Sequence, residues 1–436
     1  MNLTLLLLIA AALSGGGLLW YLFERWPAAG LVFWMITVCF MPVWWAVRVG
    51  LDWRPAIIGG IILLSTYIAR FPRVFTGADL GVGLLFMAGV FPVVFGGASS
   101  SSVFGLASQW ILGFLLGRLV LLRLGEDLVY RILVVMFAIV AVFALVEFVL
   151  NWHPWSLIGP HNDIYAIWGP IQGRGGLSRS EGAFGHSIAL GCSLALTLPF
   201  VLAAKLRPWV RFALACLMIG ATLVTLSRGA LLSAGLSILL VAVFGGRRYG
   251  AEPRRTAVVV LLVGALVSLP ALSSVLAAAG DEAGKSADYR GRLFDLVAAM
   301  DPLGLSGAGR TAANGERYIG TFQSIDSQII LTGLTYGWIV LLLGLGLLLA
   351  AAVLVIAGRA SPGIIAIVGQ APALASVALI TQYNIFFWFI AGLGVAALAK
   401  YNQEDRDALA AGDRELLPAG VEVPFPGVSP GVSPGL

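Results

Sequence analysis

Charged side chains are scarce in this sequence: Asp, Glu, Lys and Arg make up 11% of the 436 residues, whereas 59% of the residues are hydrophobic. A soluble domain carries about 25% charged residues, so this scarcity excludes an ordinary soluble protein. The mean hydropathy of +0.94 agrees with that exclusion. We therefore predict an all-α polytopic integral membrane protein.

Cysteine and lysine are also rare. The three cysteines, Cys39, Cys192 and Cys216, all lie in apolar runs, which excludes a disulfide framework and a cysteine metal site. Basic residues are mostly arginine, and they give a pI near 9.3. This basic balance does not require nucleic acid, because membrane topology itself requires basic loops. We expect no nucleic-acid partner.

Long apolar runs, by contrast, are abundant. A helix needs about 17–25 residues to cross a bilayer. Thirteen stretches come close to that length or exceed it: residues 3–23, 27–47, 55–69, 81–97, 103–122, 132–150, 187–204, 209–226, 229–245, 256–275, 328–356, 363–380 and 384–399. The segment from Met1 to Phe23 lacks the basic start and small-residue exit of a signal peptide, so we predict a retained first helix. Thirteen spans would place the N-terminus outside, and twelve would place it inside.

Two long polar segments divide the chain. We expect N-terminal transmembrane helices in 1–150, a first loop in 151–186, a four-helix core in 187–275, a large loop in 276–327, C-terminal helices in 328–400 and a disordered tail in 401–436. Four spans separate the two loops, so both face the same side. The short connections are rich in arginine and are cytoplasmic by the positive-inside rule. Both long loops therefore face outward, and the Pro- and Gly-rich tail lies inside.

Arg228 is the one charged residue in the apolar run between Arg211 and Arg247. The run fits a single kinked helix or, more naturally, a helical hairpin that turns at Ser227, Arg228 and Gly229. An ionisable group at a helix centre in the membrane costs about 2.5–3.5 kcal/mol on insertion scales, so it usually has a function or a partner. Two readings remain open: a functional guanidinium that binds phosphate, and an arginine that snorkels at the end of a span.

The first loop contains all three histidines of the chain, His153, His161 and His186, together with Arg179 and Glu181. The histidine spacings of eight and twenty-five residues match no common metal-ligand pattern. We therefore expect no metal and no cofactor. The loop's tryptophans and tyrosines suit an interfacial belt or stacking on sugar rings equally well.

The second loop contains an amphipathic segment and ends at a carboxylate. Tyr289, Leu293, Leu296, Val297 and Met300 fall on one helical face, which we expect to pack on the bilayer or on the bundle. A Gly-rich turn follows at residues 304–311. Asp326 stands where the next long span begins, where it can serve as a helix N-cap, as a catalytic group, or as both.

Three patches resemble the superfamily of O-antigen ligases and Wzy-type polysaccharide polymerases. They are the segment 179–192, with the sequence RSEGAFGHSIALGC, the Ser-Arg-Gly hairpin in 226–236, and the stretch 290–337 that runs from the large loop into the next helix. The resemblance covers residues 175–345. Ligases of this superfamily carry a histidine where this chain has Asp326. The GHSIALG sequence is more similar to exopolysaccharide polymerases, so a polymerase is favoured over a ligase.

The resemblance implies metal-independent, inverting transfer of oligosaccharide repeat units from a polyprenyl-pyrophosphate donor to a lipid-linked acceptor. It implies a bacterial inner-membrane protein whose active site faces the periplasm, with membrane lipid, a flippase and a chain-length regulator as further partners. An outward-facing site has no nucleotide-sugar pool, which independently favours a lipid-linked donor. Arginine forks stabilise charge on a departing pyrophosphate. The candidate phosphate-binding residues are Arg228, Arg179, Arg310, Arg290 and Arg292.

For the base that deprotonates the acceptor hydroxyl we rank Asp326 first, followed by Glu181 and His186.

Rival functions are an O-antigen ligase and a transporter or flippase. Coupled transporters usually carry carboxylates inside their spans, and here Glu147 is the only carboxylate inside a predicted span. A membrane scaffold would leave Arg228 unexplained. A cytoplasm-facing glycosyltransferase is also weak, because its only D-x-D motif, residues 405–407, lies in the tail.

Overall fold

The structure, a computed structural model of the chain, describes residues 3–68, 75–279, 289, 291–311, 317–319, 322 and 324–415. Its helices are α1 (Leu3–Arg25), α2 (Pro27–Phe40), α3 (Pro55–Ile68), α4 (Gly77–Val90), α5 (Ser100–Leu124), α6 (Glu126–Leu150), α7 (Asp163–Trp168), α8 (Ser187–Ala203), α9 (Pro208–Val224), α10 (Arg228–Phe244), α11 (Gly246–Tyr249), α12 (Ala251–Ala279), α13 (Gln328–Tyr336), α14 (Trp338–Ile356), α15 (Pro362–Gly369), α16 (Ala371–Ser376) and α17 (Thr381–Glu415).

Short strands form three two-stranded antiparallel hairpins: β1 (Val47–Val49) with β2 (Leu51–Trp53), β3 (Gly173–Arg174) with β4 (Leu177–Ser178), and β5 (Gly309–Thr311) with β6 (Arg317–Ile319). The β3–β4 turn consists of Gly175 and Gly176, with φ of 56° and 78°. Positive φ at both central residues is what a tight two-residue hairpin turn requires, and glycine adopts it without strain.

Among the described residues, five helices are long and apolar enough to cross a membrane: Gly77–Phe95, Ser100–Leu124, Glu126–Leu150, Trp338–Ile356 and Thr381–Asp407. The apolar helices Pro27–Phe40, Pro55–Ile68, Ser187–Ala203, Pro208–Val224, Arg228–Phe244 and Pro362–Ser376 are shorter. This confirms an all-α membrane protein. The count of twelve or thirteen spans and the outward direction of the two loops stay predictions.

Several predicted boundaries are wrong. The second helix ends at Phe40 rather than residue 47, because Met41 begins a turn that leads into the β1–β2 hairpin. The predicted span 328–356 is two helices, α13 and α14, separated by Gly337 at φ 97°. A Cβ at Gly337 would lie 2.5 Å from the Pro302 carbonyl oxygen, so the backbone of the large loop packs directly against this break.

The predicted disordered tail is also wrong in part, because α17 continues to Glu415, well past residue 400. Residues 416–436 lie outside the described residues. The predicted amphipathic helix is α-helical at Tyr289 and at residues 291–293, and it continues as a 3₁₀ helix over Phe294–Ala299. Its three-residue period buries Leu293 and Leu296 but leaves Val297 exposed.

Helix α8 lies at the centre of the bundle, where every residue from Ala189 to Leu202 is buried. A helix that is buried all round must be apolar or small on every face, and this one is. Gly191 lets it approach α10 closely, since a Cβ there would lie 2.7 Å from the Ala230 side chain. The helix thus fixes α10, and the Arg228 turn that begins it, relative to the rest of the bundle.

The connections of the bundle gather at two ends. At the loop end, Arg48 donates to Asp163 at 2.8 Å, and the Leu305 amide donates to the Gly97 carbonyl at 2.9 Å. At the opposite end, which we name the basic end, Lys205 contacts Asp127 and Lys400 contacts Glu126. Both long polar segments contact the start of α17, since Gln382 Nε2 donates to Ala183 O of the first loop and the Leu379 amide donates to Gln328, directly after the large loop. That both loops face the same side of a membrane stays a prediction.

Candidate functional site

The Ser-Arg-Gly motif forms the turn between α9 and α10, which confirms the predicted hairpin. The Ser227 hydroxyl caps α10 by accepting a hydrogen bond from the Ala230 amide at 3.3 Å. Arg228 is the first residue of α10 and is half-buried. Within the described parts of the chain, its guanidinium has no hydrogen-bond or ion-pair partner. A helix N-terminus and an unpaired guanidinium both favour an anion at this place.

The residue before this turn is strained. Leu226 has φ 49°, in the left-handed region that costs a non-glycine residue about 1–2 kcal/mol. The preceding carbonyls are held by the first loop: Arg179 Nε donates to Thr225 O at 2.8 Å, and Arg174 Nη1 donates to Leu226 O at 2.7 Å. The Ser180 amide donates to Val224 O at 3.2 Å. The two motifs that the sequence separates by about fifty residues are thus in direct contact.

Arg179 is oriented by Gln172. The Gln172 side-chain oxygen accepts from Arg179 Nη1 at 3.3 Å and from the Ser187 hydroxyl at 3.1 Å. The Arg179 side chain is buried, and its Nη2 has no partner among the described residues. Burial, with the nearby charge of Arg174, lowers the pKa of Arg179 to about 10, so it stays cationic at neutral pH. Direct phosphate binding by Arg179 stays a prediction.

Glu181 lies beside Arg179 and is also buried. One carboxylate oxygen accepts from the Gln172 amide at 2.9 Å, and the other has no partner among the described residues. Burial is the main cause that raises its pKa to about 7, with a further contribution from the charge of Glu147. A carboxyl group that changes its charge near neutral pH is a credible proton acceptor.

Glu147, near the end of α6, contacts the backbone next to Glu181. It accepts from the Gly182 amide at 2.9 Å and contacts His153 Nδ1 at 2.7 Å. Both side chains are mostly buried, with 3% of Glu147 and 12% of His153 exposed. Nothing in the sequence pairs Glu147 with His153, because the six residues between them cross the end of a helix.

The other histidines lie apart from this pair. His186 Nδ1 accepts from the Ile188 amide at 3.2 Å, so His186 caps α8. Burial, with the Arg179 charge, lowers the pKa of His186 to about 4, and the ring is therefore neutral near pH 7. His161 packs edge-on against Tyr165. No group of three potential metal ligands occurs among the described residues.

Asp326 precedes α13, but it does not cap that helix. The N-cap is Ser327, whose hydroxyl accepts from the Ile330 amide at 3.4 Å, so the N-cap reading of Asp326 is wrong. Asp326 is exposed and accepts a hydrogen bond from the Ser324 hydroxyl at 3.0 Å. The Tyr289 hydroxyl donates to the neighbouring Ser324 carbonyl. The carboxylate is thus free of a structural capping role and accessible to solvent.

Residues close to Arg228 and Asp326 in the chain contact the same break in the bundle, between α16 and α17. Gly229 lies against this break, since a Cβ there would be 3.2 Å from the Ser376 hydroxyl. From the other side, the Gln328 amide donates to Val377 O at 2.9 Å and the Gln328 side chain accepts from the Leu379 amide at 2.7 Å. Thr381, where α17 begins, has a strained φ of 50°. Strained residues often mark functional sites, and Thr381 lies at the end of this junction.

An apolar cavity of about 710 Å³ adjoins the same break. It runs between α4, α5, α14 and α17, from Gln328 and Leu379 at the loop end to Gly77 and Leu398 toward the basic end. Apart from Gln328 and Thr332, its lining residues are apolar or glycine. Ligand pockets have volumes of about 300–1,000 Å³. A cavity of this shape and polarity suits a long hydrocarbon chain.

The remaining candidate arginines belong to the large loop. Arg292 is exposed on the large loop, and Arg310 lies in β5, opposite Tyr318 of β6. Arg290 lies outside the described residues. Their predicted phosphate contacts stay predictions.

Gln172 is the residue that sequence reasoning missed entirely. Its four hydrogen bonds link Arg179, Glu181 and Ser187, yet a single glutamine in a loop carries no sequence signal of such a role. No protein-family model, curated protein or solved structure shows significant similarity to the chain. The functional interpretation therefore depends on the motifs and on this geometry.

Proposed function

We propose that the protein is a polymerase that joins polyprenyl-pyrophosphate-linked oligosaccharide repeat units on the outer face of a bacterial cytoplasmic membrane. One observation supports the proposal: Gly229, next to Arg228, and Gln328, two residues after Asp326, both contact the break between α16 and α17, and Gln328 and Leu379 also line a long apolar cavity. A lipid-linked pyrophosphate has the matching parts, since it joins a hydrocarbon chain to an anionic headgroup.

The apolar cavity accommodates part of the hydrocarbon chain of a lipid carrier. The carrier's pyrophosphate then lies at the loop end, where Arg228 stands at the start of α10. The planar guanidinium can donate two parallel hydrogen bonds to phosphate oxygens, which stabilises the negative charge that develops there as the sugar leaves. Arg310 is a further candidate for phosphate contact.

Asp326 is the proposed base, because it is exposed and has no capping role. It takes the proton from the acceptor hydroxyl as that oxygen attacks the anomeric carbon of the donor. The bond between the anomeric carbon and the pyrophosphate oxygen breaks, and its electron pair stays with the pyrophosphate. Attack opposite the leaving group inverts the anomeric configuration, and Asp326 later releases its proton to water.

Purified protein in proteoliposomes, supplied with one lipid-linked repeat unit, tests this function. We expect a ladder of products that grows by whole repeat units, with one polyprenyl pyrophosphate released per bond. Addition of a single glycan to a different acceptor would indicate a ligase instead. Movement of intact lipid-linked units across the bilayer without a ladder would indicate a flippase and would overturn the proposal.

A further inference from the structure

The segment from Gln172 to Gly182 packs against the turn that presents Arg228. Three of its donors bind consecutive carbonyls there: the Ser180 amide binds Val224 O, Arg179 Nε binds Thr225 O and Arg174 Nη1 binds Leu226 O. These carbonyls have no partner further along α9, because the helix ends at Val224. The segment therefore takes over the hydrogen bonds that a continuing helix would have made.

The turn that these bonds hold contains a residue in an unfavourable backbone conformation. Leu226 has φ 49°, and leucine has no short polar side chain that would stabilise the left-handed region locally. The penalty of that region corresponds to about a 5–30-fold bias against the observed turn. Something outside the turn must offset this bias, and the Arg174 and Arg179 bonds lie directly on the strained peptide.

The segment is itself anchored to the bundle. The Ser180 hydroxyl donates to Ala144 O at 2.7 Å, and the Gly182 amide donates to Glu147 at 2.9 Å, so α6 holds one side. Gln172 ties Arg179 to Ser187 at the start of α8. A rigid support of this kind can transmit its position to Leu226, whereas a free loop could not.

We infer that Arg179 is a positioning residue, which holds Leu226 in the left-handed conformation and thereby aims Arg228, rather than a residue that binds the pyrophosphate. The buried guanidinium supports this role, since two of its nitrogens already donate to Thr225 and Gln172. The inference deepens the proposed function, because the site that Arg179 supports is the one assigned to Arg228.

The substitution Leu226→Gly distinguishes a positioning role of Arg179 from direct binding of the pyrophosphate by Arg179, because glycine adopts positive φ without strain. Arg179→Lys cannot make both hydrogen bonds with one ammonium, and we expect it to lower transfer by about 5–30-fold. Adding Leu226→Gly should restore transfer to within about threefold of the Leu226→Gly protein. Arg228→Ala with Leu226→Gly is the matched control, in which no recovery is expected. A lack of recovery in the Arg179→Lys, Leu226→Gly protein would assign Arg179 to the substrate and overturn the inference.

Hydrogen–deuterium exchange tests the same inference without any activity. Arg179→Lys should accelerate amide exchange in residues 225–230, whereas Arg228→Ala should leave it close to the wild-type rate. Unchanged exchange in Arg179→Lys would overturn the positioning role. Accelerated exchange in a protein that forms no polymer would support the positioning role and reject only the proposed function.

Discussion

Arg118 near the basic end and Arg179 at the loop end are both buried, but their hydrogen-bond partners differ. At the basic end, Arg118 and Asp79 form a buried pair with two hydrogen bonds of 2.9 and 3.0 Å, and Asp79 also completes a capping box with Thr76. Inside the loop end, Arg179 donates to a carbonyl and an amide oxygen, and Arg228 has no partner in the described chain. Fully paired charges hold a structure together, whereas an unpaired cation is available to a ligand.

The largest effect is expected at Arg228. Arg228→Ala removes the guanidinium that we place first on the pyrophosphate, so polymer should disappear while the protein stays in the membrane at normal level. Arg228→Lys keeps the charge but loses the planar fork, and most activity should be lost with it. Polymer length on gels, with membrane protein measured by immunoblot, checks both. Near-normal polymer from Arg228→Lys would contradict phosphate binding and would indicate that Arg228 only anchors its helix at the membrane surface.

Asp326 is expected to show the next largest effect. Asp326→Asn keeps the shape and an oxygen acceptor for Ser324 but removes the basicity, so transfer should fall by about 10²–10⁴-fold with substrate binding retained. Ser327→Ala is the matched control, because it removes the true cap of α13 at a cost of about 0.5–2 kcal/mol in stability. Full-length polymer from Asp326→Asn would move the base to Glu181 or leave the reaction without a protein base.

Substitutions at the basic end should lower the stability of the protein rather than its activity. Asp79→Asn leaves Arg118 buried without its carboxylate, which costs about 3–5 kcal/mol when a buried pair is broken. We expect a lower thermal unfolding midpoint in detergent, with the activity per folded molecule unchanged at low temperature. A loss of activity with an unchanged unfolding midpoint would contradict the structural role of this pair.

Glu181 should give a smaller effect that depends on pH. Burial raises its pKa from 4.5 to about 7 in the folded state, so the folded protein favours the neutral carboxyl group. The stability it contributes is present below pH 4.5 and is lost as pH rises through about 7, by at most about 3 kcal/mol. Wild-type unfolding midpoints should therefore fall between pH 5 and pH 8 relative to those of Glu181→Gln. Parallel pH profiles for the two proteins would show that Glu181 does not titrate in this range.

Much of the fold follows from the sequence, because long apolar runs decide which segments become helices. The hairpin at Arg228 was predictable since a lone charge with a Ser and a Gly beside it interrupts an otherwise uniform run. The break at Gly337 was not, because it depends on the backbone of Pro302 and Leu303 packing against a distant glycine. A sequence pattern cannot show that contact.

The sequence predicts which residues belong to the candidate site better than it predicts the role of each residue. The segment of Arg179 and Glu181 packs against the turn that precedes Arg228, whereas the roles of the three residues stay predictions. The choice of Ser327 over Asp326 as the cap was not predictable, because both residue types rank high at that position. The strain at Leu226 and the pairing of Glu147 with His153 depend on tertiary contacts that no local pattern records.

Binding of polyprenyl pyrophosphate tests the central claim most directly, namely that the loop end holds its unpaired arginine for an anionic lipid headgroup. Native mass spectrometry of the purified protein can compare polyprenyl pyrophosphate with the uncharged polyprenol, with Lys205→Ala at the basic end as the matched control. We predict that the wild-type and Lys205→Ala proteins prefer the pyrophosphate by at least about tenfold, which corresponds to about 1.4 kcal/mol, and that Arg228→Ala loses this preference. An unchanged preference in Arg228→Ala would contradict the account.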